Sequence, residues 1–228
     1  DSTGAPIHTT EAGVKNFWKN FKDSKMVDPQ GRPIRVYHGT NAEKDFPSFQ
    51  YGKVRSGWYL GKGFYFGHKE KAEEYSGYAE YPGVDVSKSR LLPVYLNMKN
   101  PYVWHEGLSK ADITKLRAEM PEFDQAYKDW VEHYDQSGVH HPHLLMDIAG
   151  DLSEKDPSRS QAELAGLQAE LIQDILKKAG YDGIMASELA GDELSARPWD
   201  DTTAEFVVFD NNQIKSALGN KGEFDTSK

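Results

Sequence analysis

Apolar positions in this chain follow two rhythms, one near 3.6 residues and one of two, and the switches between them mark out its elements. Helical spacing first appears after Thr10, where Val14, Phe17, Trp18 and Phe21 share one face. Asp28-Pro29-Gln30-Gly31 signals a turn leading into a strand over 34–38. Residues 46–56 read as an ordered loop, 59–66 as a strand bent by Gly61 and Gly63, and 69–78 as a short helix. A strand over 91–97 is broken at Asn100-Pro101, and 102–104 extends the sheet. Ser109-Lys110-Ala111-Asp112 opens a helix with a capping-box pattern.

Residues 120–160, carrying His140-His141-Pro142-His143, read as an insertion, and helical insertion as a whole spans about 105–180. Ser160 and Glu163 begin a long helix whose stripe is Leu164, Leu167, Leu171, Ile175 and Leu176, closed by Gly180. A strand over 181–186, a polar loop over 190–203 and a strand over 204–210 follow. Residues 211–217 read as a final helical turn and the tail from Gly219 as loose, flexible over 221–228. Residues 1–8 are small and polar and are expected to be disordered, leaving one domain over 9–220. Strands and helices do not alternate regularly, which argues against a doubly wound parallel sheet and for an α+β fold of two packed antiparallel sheets.

The 228 residues suit one large domain, and 10 Phe, 12 Tyr and 5 Trp supply an aromatic core despite a hydrophobic content of 38%. No apolar run is long enough to cross a bilayer, so a soluble chain with no membrane partner is expected. The first residue, Asp1, suggests a fragment or processed product. With no cysteine, thiolate metal sites, disulfides and cysteine nucleophiles are excluded. A net charge of -9 offers no electrostatic footprint for non-specific nucleic-acid binding.

Three short stretches set functional groups into strand-like runs. Strand alternation places His38 with Ile34 and Val36, beside Gly39 and Thr40; it reads either as a ligand-binding imidazole or as a satisfied core histidine next to a turn. Gly61-Lys62-Gly63 is not a dinucleotide fingerprint, because Phe66 stands at the third glycine position and a strand follows rather than a helix. The glycines instead permit a bend that presents Tyr65 for stacking on a planar ring, with Tyr75 as a second ring; the plain alternative is two core or rim aromatics. Glu205 has apolar neighbours on both strand faces, so its carboxylate is paired, working, or lifted to solvent at the strand edge. His140, His141 and His143 lack a carboxylate in ligand spacing, so no metal is expected, and Asp200-Asp201 reads as a solvated loop.

Together, Tyr37-His38-Gly39-Thr40, Gly61-Lys62-Gly63-Phe64-Tyr65-Phe66 and Glu205-Phe206-Val207-Val208-Phe209-Asp210 with Gln213 resemble the His-Tyr-Glu branch of the ADP-ribosyltransferase superfamily, which includes diphtheria-toxin-like and poly(ADP-ribose) polymerase domains. A narrower likeness covers more of the chain. Gly31-Arg32-Pro33, Val94-Tyr95-Leu96-Asn97-Met98-Lys99-Asn100-Pro101 and Gly180-Tyr181-Asp182-Gly183-Ile184 are similar to ADP-ribosyltransferase modules of phage and mobile-element polyvalent proteins.

The resemblance implies a split β-sandwich with flanking helices and NAD as substrate, without a metal. It implies that His38 holds a ribose, that Gly39 meets the nicotinamide amide through its backbone, and that Tyr65 and Tyr75 sandwich the nicotinamide. Glu205 would bind the ribose 2′-hydroxyl and stabilise the positive charge as nicotinamide leaves, and Thr40, Gly63 and Phe66 complete the NAD-binding set. Without an acceptor loop or helical regulatory domain, transfer of a single ADP-ribose is expected, in a toxin or phage effector acting in the cytoplasm of a target or host cell. An Arg-Ser-Glu site fits poorly, because Thr203 stands where its paired glutamate belongs. The acceptor is a protein by default, with RNA or DNA open, and an immunity protein is a further expected partner. An NAD glycohydrolase and an inactive NAD-binding module are the alternatives.

Overall fold

The structure is a computed structural model and describes residues 1–40, 49, 59–76, 89–134, 143–155, 158–187 and 201–218. The loop expected over 46–56 apart from Phe49, most of the polar loop over 190–203, His140, His141 and the tail beyond Leu218 lie outside the described residues.

Seven strands, β1 (Val36–Thr40), β2 (Phe64–Gly67), β3 (Arg90–Leu96), β4 (Pro101–Val103), β5 (Gly183–Ala186), β6 (Glu205–Val208) and β7 (Ile214–Ser216), form one sheet in the order β4-β5-β6-β2-β1-β3-β7. This corrects the expected pair of antiparallel sheets: the strands are joined in one, and β4 runs parallel to β5. The sheet is nearly divided, because β1 and β2 meet at a single pair, Tyr37 opposite Gly67. Elsewhere the ladders are longer, with five pairs between β1 and β3 and four between β2 and β6. A core of Ile34, Val36, Phe64, Phe66, Val94, Leu96, Phe206 and Val208 draws on both halves.

Helix α1 (Glu11–Phe21) is capped by Thr10, whose hydroxyl accepts from the Gly13 amide, and buries Phe17 and Phe21 against Tyr95. Helix α2 (Lys69–Ser76) packs on β1, β2 and β3. The insertion is a helical layer of α3 (Lys110–Glu119), α4 (Pro121–Tyr134), α5 (Leu144–Ser153) and α6 (Gln161–Ala179), which share a core with Val207 and Phe209. Ser109–Asp112 and Ser160–Glu163 form reciprocal capping boxes, and Gly180 ends α6 in the left-handed region at φ 109°. The buried face of α6 is rotated from the leucine stripe: Ala169, Ile172, Gln173, Ile175 and Leu176 are buried, while Leu164, Leu167 and Leu171 are half-buried.

Two further expectations change. Residues 211–217 are a 3₁₀ turn followed by β7, because residues 214–216 find a free edge of β3 to pair with. Residues 1–8 are packed rather than disordered: the Asp1 carboxylate accepts from the Tyr95 hydroxyl at 2.7 Å and pairs with Arg35, and the Ser2 amide donates to the Pro33 carbonyl.

Candidate active site

Gly67 is the hinge of the site. It lies opposite Tyr37 on one side and opposite Glu205 on the other, so β1, β2 and β6 meet in one row. Past this row, β1 and β2 part, and the His38 imidazole occupies the parting: its Nδ1 lies 2.9 Å from the Tyr65 carbonyl oxygen. A carbonyl only accepts, so Nδ1 carries the proton and Nε2 is the acceptor nitrogen. Burial holds the His38 pKa below its ordinary value, against the opposing effect of that hydrogen bond, and the ring is neutral near pH 7. Phe49 and Phe66 stand around it, with ring centroids 5.1 and 5.7 Å away.

Alternation along β2 and β6 puts Tyr65 and Glu205 on one face, two pairs apart along the ladder. Opposed positions of that separation lie roughly 7–8 Å apart in a sheet. His38 belongs to the other face, with Ile34 and Val36, and reaches Tyr65 through its backbone. The Tyr65 hydroxyl donates to the Gly61 carbonyl at 2.7 Å, which fixes the ring, and burial pushes its phenol pKa far up.

Glu205 is 2% exposed, a carboxylate in the middle of the sheet with β2 and β5 on its two sides. Its Oε1 has no hydrogen-bond partner among the described residues. Burial pushes its pKa up to about 7. The strand-edge alternative is thereby removed, since Ala186 and Gly67 flank it. A buried carboxylate with an unpartnered oxygen is costly, by about 1–3 kcal/mol or more for the unmet bond alone.

Gly39 is pressed against α2: a Cβ there would collide with the Ala72 carbonyl oxygen. Its backbone can therefore lie at the surface of the parting only as glycine. Tyr75 rides on that same helix, half-buried, with the Lys71 ammonium 5.9 Å from its ring centroid. Thr40 is half-buried at the end of β1, opposite Arg90. Gly63 and Phe66 are interior positions: a Cβ on Gly63 would collide with Val207, and Phe66 is 1% exposed in the core. Phe66 thus backs His38 from within rather than lining an open surface.

Asp201 is not a plain solvated residue. Burial alone would raise its pKa, but hydrogen bonds from Ser187 and Thr203 outweigh that and hold it low; the Thr203 amide and hydroxyl donate at 2.8 and 2.7 Å. Among the described residues no group of three or more histidine or acidic side chains converges as a metal would require. A cavity of about 350 Å³ opens at the far end of β6, lined by Lys99, Lys177, Tyr181, Phe209 and Gln213 among others, and no predicted site residue lines it. Gln173 was not foreseen; its signal is a lone polar residue within the buried face of α6.

No curated protein and no solved structure matches the chain. The sequence profile of one family, described as ADP-ribosyltransferase in polyvalent proteins, matches residues 28–224, a span that contains β1, β2, β6 and every residue of the site. The chain belongs to that family of ADP-ribosyltransferases.

Proposed function

We propose that this domain is an NAD-dependent mono-ADP-ribosyltransferase of the His-Tyr-Glu type, serving as a toxin or phage effector, with His38, Tyr65 and Glu205 as its working set. Membership of the family makes NAD the substrate and ADP-ribosyl transfer the reaction class. One observation carries the finer reading: Glu205 is buried, its pKa is pushed up to about 7 and its Oε1 has no partner among the described residues, on the strand next to that of Tyr65.

That carboxylate fits a substrate whose nicotinamide is cationic and whose ribose gains positive charge as nicotinamide departs. A neighbouring cation favours the ionised carboxylate, so substrate brings Glu205 to its active form. Oε1 offers an acceptor for a ribose hydroxyl, and the charge develops in a site shielded from water. Tyr65, with its hydroxyl tied to Gly61, presents a fixed ring to the cationic nicotinamide, and Tyr75 on α2 supplies a second. The His38 ring, fixed by its Nδ1 bond to the Tyr65 carbonyl, is assigned to a ribose, and Gly39 offers backbone groups to the carboxamide. The acceptor is a protein by default, in keeping with a net charge of -9.

The test is incubation with NAD labelled in its adenylate part, together with bacterial lysate. Label in protein that is lost in Glu205→Gln supports the proposal. Label recovered in RNA or DNA changes the acceptor. Nicotinamide release with all label in free ADP-ribose would make the domain a glycohydrolase, and NAD bound without turnover would make it an inactive binding module.

A further inference from the structure

The Gly61-Lys62-Gly63 stretch is held from outside the sheet, by a helix of the insertion. The Gln173 side-chain amide on α6 donates to the Lys62 carbonyl at 2.7 Å, and the Lys62 amide donates to the Ala169 carbonyl at 2.8 Å. Gln173 is 5% exposed, a buried polar group on an otherwise apolar face. Such groups are kept where their hydrogen bond fixes something. Gly61 takes φ 109°, and a Cβ on it would come within 2.7 Å of Ile172. On the other side, Gly63 leaves no room beside Val207. The loop is thus threaded between α6 and β6, and its two glycines are there because neither neighbour yields space. Its Gly61 carbonyl then receives the Tyr65 hydroxyl at 2.7 Å.

We propose that Gln173 is a positioning residue for the Tyr65 ring: α6 sets the loop, the loop sets the Gly61 carbonyl, and that carbonyl sets the ring that receives nicotinamide. The inference rests on the functional reading above for its ligand, but its mechanical part stands on the loop alone. It assigns the helical insertion a role in substrate recognition. The exposed Lys62–Glu170 ion pair, 2.8 Å long with Glu170 half in solvent, is an accessory contact that contributes little.

The experiment compares the parent with Gln173→Leu, which keeps the volume and removes the donor. Hydrogen exchange of the ligand-free proteins reads the loop: the Lys62 amide is expected to exchange about tenfold faster in the variant, with the β3 amides unchanged. Calorimetry with nicotinamide and, separately, with ADP-ribose reads the ring. Nicotinamide is expected to bind about fivefold to tenfold more weakly to the variant, and ADP-ribose within about twofold of the parent, because loss of one buried hydrogen bond is worth about that factor. A merely structural role would weaken both ligands alike, and that result overturns the proposal, as does unchanged binding of both. Should Gln173→Leu fail to fold, Gln173→Met keeps the length of the side chain and has no donor for the carbonyl; it is held to the same split. Glu170→Gln is expected to change neither ligand. A parent that binds neither nicotinamide nor ADP-ribose defeats the functional reading instead. Lys62 exchange then decides the latch alone: faster exchange supports it, and unchanged exchange overturns it.

Discussion

The two ends of strand β6 treat a polar side chain in opposite ways. Just past its C-terminal end, Gln213 makes every bond its amide can use along one seam. Its oxygen accepts from the Phe209 and Asp210 amides, and its nitrogen donates to the Asn97 and Asp182 carbonyls. At the N-terminal end, Glu205 is almost wholly buried, lacks a partner at Oε1 among the described residues and has its pKa pushed up to about 7. Glu205 opens strand β6 and Gln213 closes the 3₁₀ turn that follows it, yet among the described residues every polar atom of the Gln213 amide is bonded and Glu205 Oε1 is not. A satisfied polar group knits structure; an unsatisfied one is retained at a cost to stability, and the natural reason is a ligand.

The contrast is broken most forcefully by changing each residue to a neutral or apolar isostere. Glu205→Gln is expected to lower the rate of nicotinamide release from NAD by about a hundredfold to a thousandfold, or roughly 3–4 kcal/mol, with folding intact. A loss under tenfold would place Glu205 with the structural residues. Gln213→Leu should do the reverse, costing about 2–4 kcal/mol in urea unfolding because two amides and two carbonyls lose their partner. The rate per folded molecule should stay within about twofold; a large fall in that rate would mean that the knot shapes the site.

A subtler version of the same comparison uses pH. The folded pKa of Glu205 lies above its ordinary 4.5, so the folded state holds that proton more tightly than the unfolded chain does. Its favourable contribution is complete below about 4.5 and is lost as pH rises through about 7. Relative to Glu205→Gln, the parent should therefore lose up to roughly 3 kcal/mol between pH 5 and 8, an upper figure from the size of the shift. Gln213→Leu should show no such pH dependence of its cost. The smallest expected effect is that of Tyr65→Phe, which removes the hydroxyl's bond to the Gly61 carbonyl and leaves the ring. It should cost about 1 kcal/mol and weaken nicotinamide binding about fivefold to tenfold, as Gln173→Leu does, because both act through that bond. A larger loss would give the hydroxyl a direct part in binding.

What could be read in the sequence was largely local. Ser109 and Ser160 mark their helix starts through side chains three residues apart, and Gly180 marks a helix end through a backbone angle that needs no other element. Strand periodicity placed His38 with Ile34 and Val36 and placed Glu205 among apolar residues. It could not decide between a buried Glu205 and one at an edge, because that depends on Gly67 and Ala186, far away along the chain, standing on either side. For the same reason the single sheet, the parallel β4–β5 pair and the short strand β7 were out of reach, since each is fixed by a distant partner. The latch by Asp1 depends on Arg35 and Tyr95, and the threading of Gly61 and Gly63 depends on Ile172 and Val207. The glycines were legible as a bend, while their cause was not.

The most direct measurement is the titration of the Glu205 carboxyl itself, followed by carbon NMR in protein labelled at glutamate side chains and assigned with Glu205→Gln, first alone and then with a non-cleavable NAD analogue. The account predicts an apparent pKa near 7 in the ligand-free protein and a clear downward move when the cationic nicotinamide riboside is bound. A carboxyl that titrates in the ordinary range and ignores the analogue would contradict it.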